Sequence, residues 1–117
     1  MRIGIPAEVY PGEARVAATP ETVKKFTAGG RHSVIVETNA GACASIPDAS
    51  FTAAGASLGC AADVYRTADI ILKVRRPVES ELPSLRRGTI LIGLLSPQEG
   101  VDALGRTGVR AFAMELL

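Results

Sequence analysis

The stretch Ile70-Ile71-Leu72-Lys73-Val74 constrains this chain more than any other. It is a continuous apolar run with one lysine near its end, preceded by Asp69 and stopped by Arg75-Arg76-Pro77. A run without polar alternation reads as a strand covered on both faces, which is the habit of parallel sheets. Thr89–Leu95 repeats the pattern. Parallel neighbours cannot be joined by tight hairpins, so the remaining sequence must supply crossover helices for both faces.

It does so in order. Arg2–Ile5, closed by Pro6, reads as a strand, as do Ser33–Glu37 and Val109–Met114, giving about five in all. Thr19-Pro20-Glu21 is a helix start: a hydroxyl N-cap, proline at the first helical position and an acid at the positive end of the dipole. Val23 and Phe26 share one face of that helix, Lys24 and Lys25 point to water, and Gly29-Gly30 stops it. Pro47-Asp48 opens a short helix anchored by Phe51 and ended by Gly55, and Cys60–Thr67 is a second helical piece. Glu79–Leu85 reads as a short helix interrupted by Pro83, and Ser96-Pro97-Gln98-Glu99 as a capping box.

The fold class is therefore α/β: a flavodoxin-like or Rossmann-like parallel sheet of about five strands in the order 2-1-3-4-5, with helices on both faces. Such a sheet wants a helix after its fifth strand, and the sequence given reaches Glu115-Leu116-Leu117 without one. Residues 1–117 are accordingly expected to be a single α/β N-terminal subdomain lacking its last helix, the first portion of a longer chain, or else a domain whose last strand a partner covers.

Composition removes several functional classes. Apolar residues make up 47% of the chain but aromatics only 4%, so the core must be built from Val, Ile, Leu and Ala. Thirteen basic side chains against twelve acidic ones offer no general attraction for phosphate backbones, and the aromatic platforms of single-strand binders are missing, so nucleic acid is not expected as a partner. Cys43 and Cys60 have neither CxxC nor metal-ligand spacing; they read as reduced, buried thiols of a cytosolic protein, and no metal is expected. No secretory signal pattern opens the sequence, and its apolar runs are too short to span a bilayer.

In a parallel sheet, ligands bind at the edge where the strands' C-terminal ends meet. Arg15 falls in the loop after the first strand and Lys73 near the end of the strand at 69–74, so both belong to that edge. A lysine in an apolar strand costs desolvation unless it reaches water or an anion. Together Arg15 and Lys73 suit a small anion, the arginine as a planar fork and the lysine as a point charge. The residues alone leave the alternative open, in which Lys73 snorkels to the surface and Arg15 pairs with Glu13 or Glu37. Ser96 is explained by capping. His32, the only histidine, sits in a turn-like context and reads as exposed and idle, and Arg75-Arg76 and Arg86-Arg87 with Glu79 and Glu81 between them read as a solvated mixed face. No G-x-G-x-x-G is present, so no dinucleotide site of that type is carried.

Several motifs do carry a resemblance. Met1-Arg2-Ile3-Gly4-Ile5-Pro6, Gly12-Glu13-Ala14-Arg15-Val16-Ala17-Ala18-Thr19-Pro20, Ala40-Gly41, Phe51-Thr52-Ala53-Ala54-Gly55-Ala56 and Asp69-Ile70-Ile71-Leu72-Lys73-Val74 resemble, in order and spacing, the N-terminal domain shared by alanine dehydrogenases and proton-translocating NAD(P) transhydrogenases. In alanine dehydrogenases the matching arginine and lysine hold the keto-acid carboxylate, which makes Arg15 and Lys73 the expected substrate-binding residues. That branch also has a catalytic histidine just after the fourth strand, where this chain has Leu95-Ser96-Pro97, so no catalytic residue is expected here. The departure implies the transhydrogenase α subunit, which passes hydride between NAD(H) and NADP(H) coupled to proton translocation. The resemblance implies NAD(H) bound by the parent protein mostly outside this chain. It also implies a homodimer, partners in the remaining α-subunit domains and membrane-embedded subunits, and a cytoplasmic location peripheral to the inner membrane. The alternatives are the substrate-binding portion of an alanine dehydrogenase-like enzyme and a non-catalytic interaction module.

Overall fold

The structure, a computed structural model, describes residues 1–75, 77–78, 80–94 and 108–113. Its strands are β1 (Arg2–Ile5), β2 (Ser33–Glu37), β3 (Ser57–Gly59), β4 (Ile70–Arg75), β5 (Ile90–Leu94) and β6 (Arg110–Ala113). Its α-helices are α1 (Pro20–Thr27), α2 (Asp48–Ala53) and α3 (Ala61–Thr67). The six strands form one parallel sheet in the order β3-β2-β1-β4-β5-β6. The expected order 2-1-3-4-5 holds for the five strands that the sequence signals. The sixth, β3, is unsignalled: three residues, with Leu58 partly exposed at the edge, carry no pattern of their own. It exists because Ile35, Val36 and Glu37 of β2 offer it a register.

Apolar alternation splits the core into two layers. Ile3, Ile5, Val34 and Val36 pack beneath Val23 of α1 and Phe51 of α2. Ile35, Ile71 and Leu91 pack beneath Val64 and Tyr65 of α3, and Ala68 just after it, on the other side. The α3 layer comes close because β1 has a glycine under it: a Cβ at Gly4 would lie 2.7 Å from the Ala68 Cβ. Thr19 caps α1 as expected, its hydroxyl accepting from the Thr22 N–H at 3.2 Å. The helix ends in a 3₁₀ turn, Ala28–Gly30, where Gly29 and Gly30 both have φ of 70°.

Four expectations need correction. Cys43 and Cys60 are free thiols but exposed: the turn around Cys43 buries none of its residues, and Cys60 precedes α3, which buries Val64 and Tyr65 instead. His32 is half-buried, with Nδ1 shielded from solvent and without a hydrogen-bond partner among the described residues. The segment around Pro83 is a 3₁₀ turn, Leu82–Ser84, since proline forbids a longer ladder. Glu81 beside it is buried, outside any solvated face, because Lys73 and Tyr65 both bond to it. The capping box at Ser96 lies outside the described residues.

Candidate functional site at the C-terminal edge of the sheet

The loop between β1 and α1 is tied to the end of β4 by carboxylates. Glu8 accepts from the backbone N–H groups of Val74 (2.9 Å) and Arg75 (3.0 Å). Glu13 accepts from the Arg75 Nε at 2.9 Å and from the Arg15 Nε at 2.8 Å, Nη2 at 2.9 Å and backbone N–H at 2.9 Å. Arg75 also lies over the Tyr10 ring, 5.3 Å from its centroid. This docking coincides with an irregularity in the β4–β5 register between Leu72 and Arg75, the kind of local break that re-aims side chains at strand ends.

Lys73 sits inside this break. Its side chain is fully buried, with Nζ 2.8 Å from Glu81 Oε2 and 3.7 Å from Glu8 Oε1. Glu81 is itself fixed, accepting from the Tyr65 hydroxyl at 2.6 Å and the Val78 N–H at 3.0 Å. The expected anion for Lys73 is therefore present within the chain, and the snorkelling alternative is not what the fold adopts. Burial, then the Glu81 hydrogen bond, pushes the Tyr65 phenol well above the ordinary tyrosine range.

Arg15 is the exposed member, 61% accessible. Its pairing with Glu13, one of the open alternatives, is observed; Glu37 instead accepts from the Ala7 N–H at 3.0 Å. The Arg15 side-chain hydrogen bonds, its backbone N–H and then Arg75 hold the Glu13 carboxyl well below the usual carboxylate range. Both expected residues thus lie at the same edge, joined through Glu8, Glu13 and Arg75, one exposed and one enclosed. Sequence reasoning missed Glu8, Glu81 and Arg75. The signal that could have found them is the isolated lysine of β4, which requires buried acids nearby.

Among the described residues, the same edge differs from a nucleotide-binding one. In a nucleotide-binding turn, free backbone N–H groups at the strand end face the pyrophosphate. Here the N–H groups of Ala7, Val74 and Arg75 are taken by the chain's own carboxylates, Glu37 and Glu8. Among the described residues there is also no group of histidine, cysteine and acidic side chains that could hold a metal.

Comparison with known proteins gives the family. The family model described as alanine dehydrogenase/PNT, N-terminal domain, matches residues 4–117. This chain belongs to that family. It is 40% identical over its whole length to the NAD(P) transhydrogenase subunit alpha of Cereibacter sphaeroides, covering 23% of that protein. It is also 42% identical over 98% of its length to the alanine dehydrogenase of Mycobacterium tuberculosis, covering 32% of it. Its fold matches the crystal structure of a transhydrogenase from Sinorhizobium meliloti with a TM-score of 0.92, at 42% identity over the whole chain and 36% of that structure. An L-alanine dehydrogenase structure matches with a TM-score of 0.89, at 31% identity, over 97% of this chain and 32% of the other. The chain thus spans between about a quarter and a third of the length of these relatives.

Proposed function

We propose that this chain is the N-terminal subdomain of the NAD(H)-binding α subunit of a proton-translocating NAD(P) transhydrogenase, and that it is not catalytic alone. In that role residues 1–117 form the first portion of a longer protein that transfers hydride between NAD(H) and NADP(H). Its partners are the remaining α-subunit domains, a second copy, and membrane-embedded subunits that hold it peripherally on the cytoplasmic side. Among the described residues no helix is long and apolar enough to cross a membrane.

The observation that carries the reading is the place of the single histidine. His32 precedes β2, at the opposite edge of the sheet from Arg15 and Lys73. A proton donor for imino-acid reduction must be within hydrogen-bond reach of the reacting group, and a histidine across the sheet is not. The carboxylates filling the backbone N–H groups of Ala7, Val74 and Arg75 support the companion claim that NAD(H) is held elsewhere in the parent. Two assays test this. Titration of NADH into the chain should show no binding in the micromolar range. The parent protein, given alanine and NAD⁺, should form no NADH; alanine-dependent NADH production would overturn the reading.

A second reading is favoured by the exposed cation Arg15: the substrate-binding portion of an alanine dehydrogenase-like enzyme, in which Arg15 and Lys73 receive a carboxylate, Lys73 by exchanging Glu81 for it. The comparable identity to the Mycobacterium tuberculosis enzyme supports it. Pyruvate should then protect the chain against thermal unfolding and Arg15→Ala should abolish the protection. No shift at millimolar pyruvate counts against it.

A further inference from the structure

We infer that a groove at the N-terminal edge of the sheet, across the molecule from Glu8, Glu13 and Lys73, is a binding site of its own for a phosphate monoester carrying free hydroxyl groups. The groove measures about 560 Å³ and lies where β4 and β5 begin, lined by Asp69, Arg86, Arg87 and Thr89 with Met1 and Ile90 beside them. A volume of that order takes a small organic molecule, not only a simple ion.

The donors are fixed but not used up. Arg86 folds back onto the end of α3, its Nε donating to the Tyr65 carbonyl at 3.3 Å and its Nη2 to the Ala68 carbonyl at 2.6 Å. Its Nη1 meets no acceptor among the described residues. Arg87 meets none at all among them, yet it is held: a Cβ at Gly108 would stand 2.8 Å from the Arg87 Cγ and 2.9 Å from its Cζ, so the side chain lies across that glycine. The Gly88 N–H bonds to the Gly108 carbonyl at 2.8 Å and ties down the turn that carries Arg87. Thr89 gives an independent sign of a ligand. It is 4% exposed, and its hydroxyl has no hydrogen-bond partner among the described residues. Buried hydroxyls are normally paired. This one is not sealed in, since among the described residues the one shielded orphan side-chain atom is His32 Nδ1, so it opens to the groove that Thr89 lines.

Charge selects the ligand. Two guanidiniums face one carboxylate, Asp69, which spends Oδ2 on the Arg2 N–H at 2.8 Å. The positive excess suits a phosphate monoester, with about −1.5 to −2 charges at neutral pH and three acceptor oxygens. The other Asp69 oxygen can only accept, so it suits a hydroxyl of the ligand's body and repels a second anionic group. Donors already immobilised by α3 and Gly108 lose little freedom on binding.

Calorimetric titration of the full chain with ribose 5-phosphate, adenosine 5′-monophosphate, inorganic phosphate and ribose tests this. At least one ester should bind, the tighter one identifying a sugar phosphate or a nucleotide as the source; inorganic phosphate should bind more weakly and ribose not at all. Arg87→Gln should weaken ester binding about tenfold, the scale of a lost charge-assisted hydrogen bond, and Arg87→Lys should recover some of it. Neither should move the urea unfolding midpoint, because Arg87 has no protein acceptor to lose. Thr89→Val, which keeps the shape, should cost about fivefold, the scale of a neutral hydrogen bond. Asp69→Asn should tighten inorganic phosphate and narrow the ester's advantage over it. Equal binding of phosphate and both esters, with Thr89→Val silent, would show a diffuse basic surface and overturn the inference. So would ester binding that Arg87→Gln leaves unchanged, or no ester binding at millimolar concentration.

Discussion

Removing the buried ammonium of Lys73 should destabilise the protein more than removing the acid that bonds to it. The cluster contains one cation and two carboxylates, with side-chain exposures of 0% for Lys73, 2% for Glu8 and 9% for Glu81. Lys73→Met leaves two enclosed carboxylates with only neutral donors: two backbone N–H groups on Glu8, and the Tyr65 hydroxyl and Val78 N–H on Glu81. Breaking a buried pair by deleting one partner costs about 3–5 kcal/mol, and the surviving donors place this case near the lower end, about 3 kcal/mol. Glu81→Gln leaves Lys73 balanced one to one by Glu8, and the amide carbonyl can still accept a hydrogen bond. Its cost is one charge-assisted bond reduced to a neutral one, about 1–2 kcal/mol.

Equilibrium urea unfolding measures both. With slopes of about 1–3 kcal/mol/M for small domains, Lys73→Met should lower the midpoint by about 1–3 M. The double variant Lys73→Met/Glu81→Gln should be more stable than Lys73→Met alone, because the second substitution removes a charge the first one orphaned. That sign reversal is the sharpest element of the prediction, since independent sites would simply add. Should Glu81→Gln cost as much as Lys73→Met, or the double variant be the least stable, the charge accounting would be wrong.

Three other outcomes follow from the geometry. Gly4→Ala should destabilise by about 1–3 kcal/mol through overpacking, since its Cβ would stand 2.7 Å from Ala68 Cβ and 3.0 Å from Val64 Cγ1; an unchanged melting temperature would refute the close approach of α3. The raised Tyr65 pKa means its contribution is complete below the ordinary value of 10.0 and is lost as pH rises past it. Phenolate absorbance from Tyr65 should thus appear only as the far-UV circular dichroism is lost, and Tyr65→Phe should flatten the alkaline limb of the stability profile. For Glu13 the sign is opposite: its lowered pKa gives stability that is complete above the ordinary 4.5 and fades as pH falls below it. Glu13→Gln should therefore show a smaller loss between neutral pH and about pH 3.5 than the unsubstituted chain, by the same urea assay.

The sheet was legible because its signals are local. The run at 70–74 needs burial on both faces wherever it is placed, and Thr19-Pro20 starts a helix whatever surrounds it. β3 was not legible, because Ser57-Leu58-Gly59 becomes a strand only by lying beside β2. The site divides the same way. Arg15 and Glu13 are two positions apart, so their pairing could be weighed from sequence. Glu8 meets the end of β4 across 66 residues, and Glu81 reaches Lys73 through a turn that resembles a solvated segment. The lysine announced that some acid must be near, but only the folded chain selects which one.

The carboxylates also distinguish the edge of this sheet from that of a nucleotide-binding sheet of the same architecture. Parallel strands end with backbone N–H groups pointing out of one edge, and those groups must be satisfied by water, a ligand or the protein itself. A glycine-rich turn leaves them for phosphate. Here Glu8 and Glu37 take them, so the edge gains negative charge where a phosphate-binding edge would be positive. The compensating cations, Lys73, Arg75 and Arg15, are then required by electrostatics before any ligand is considered. They outnumber the acids only at the exposed end of the cluster, where Arg15 and Arg75 share the Glu13 carboxylate. The charge at this edge thus follows from which groups satisfy the strand ends, and here they are Glu8 and Glu37.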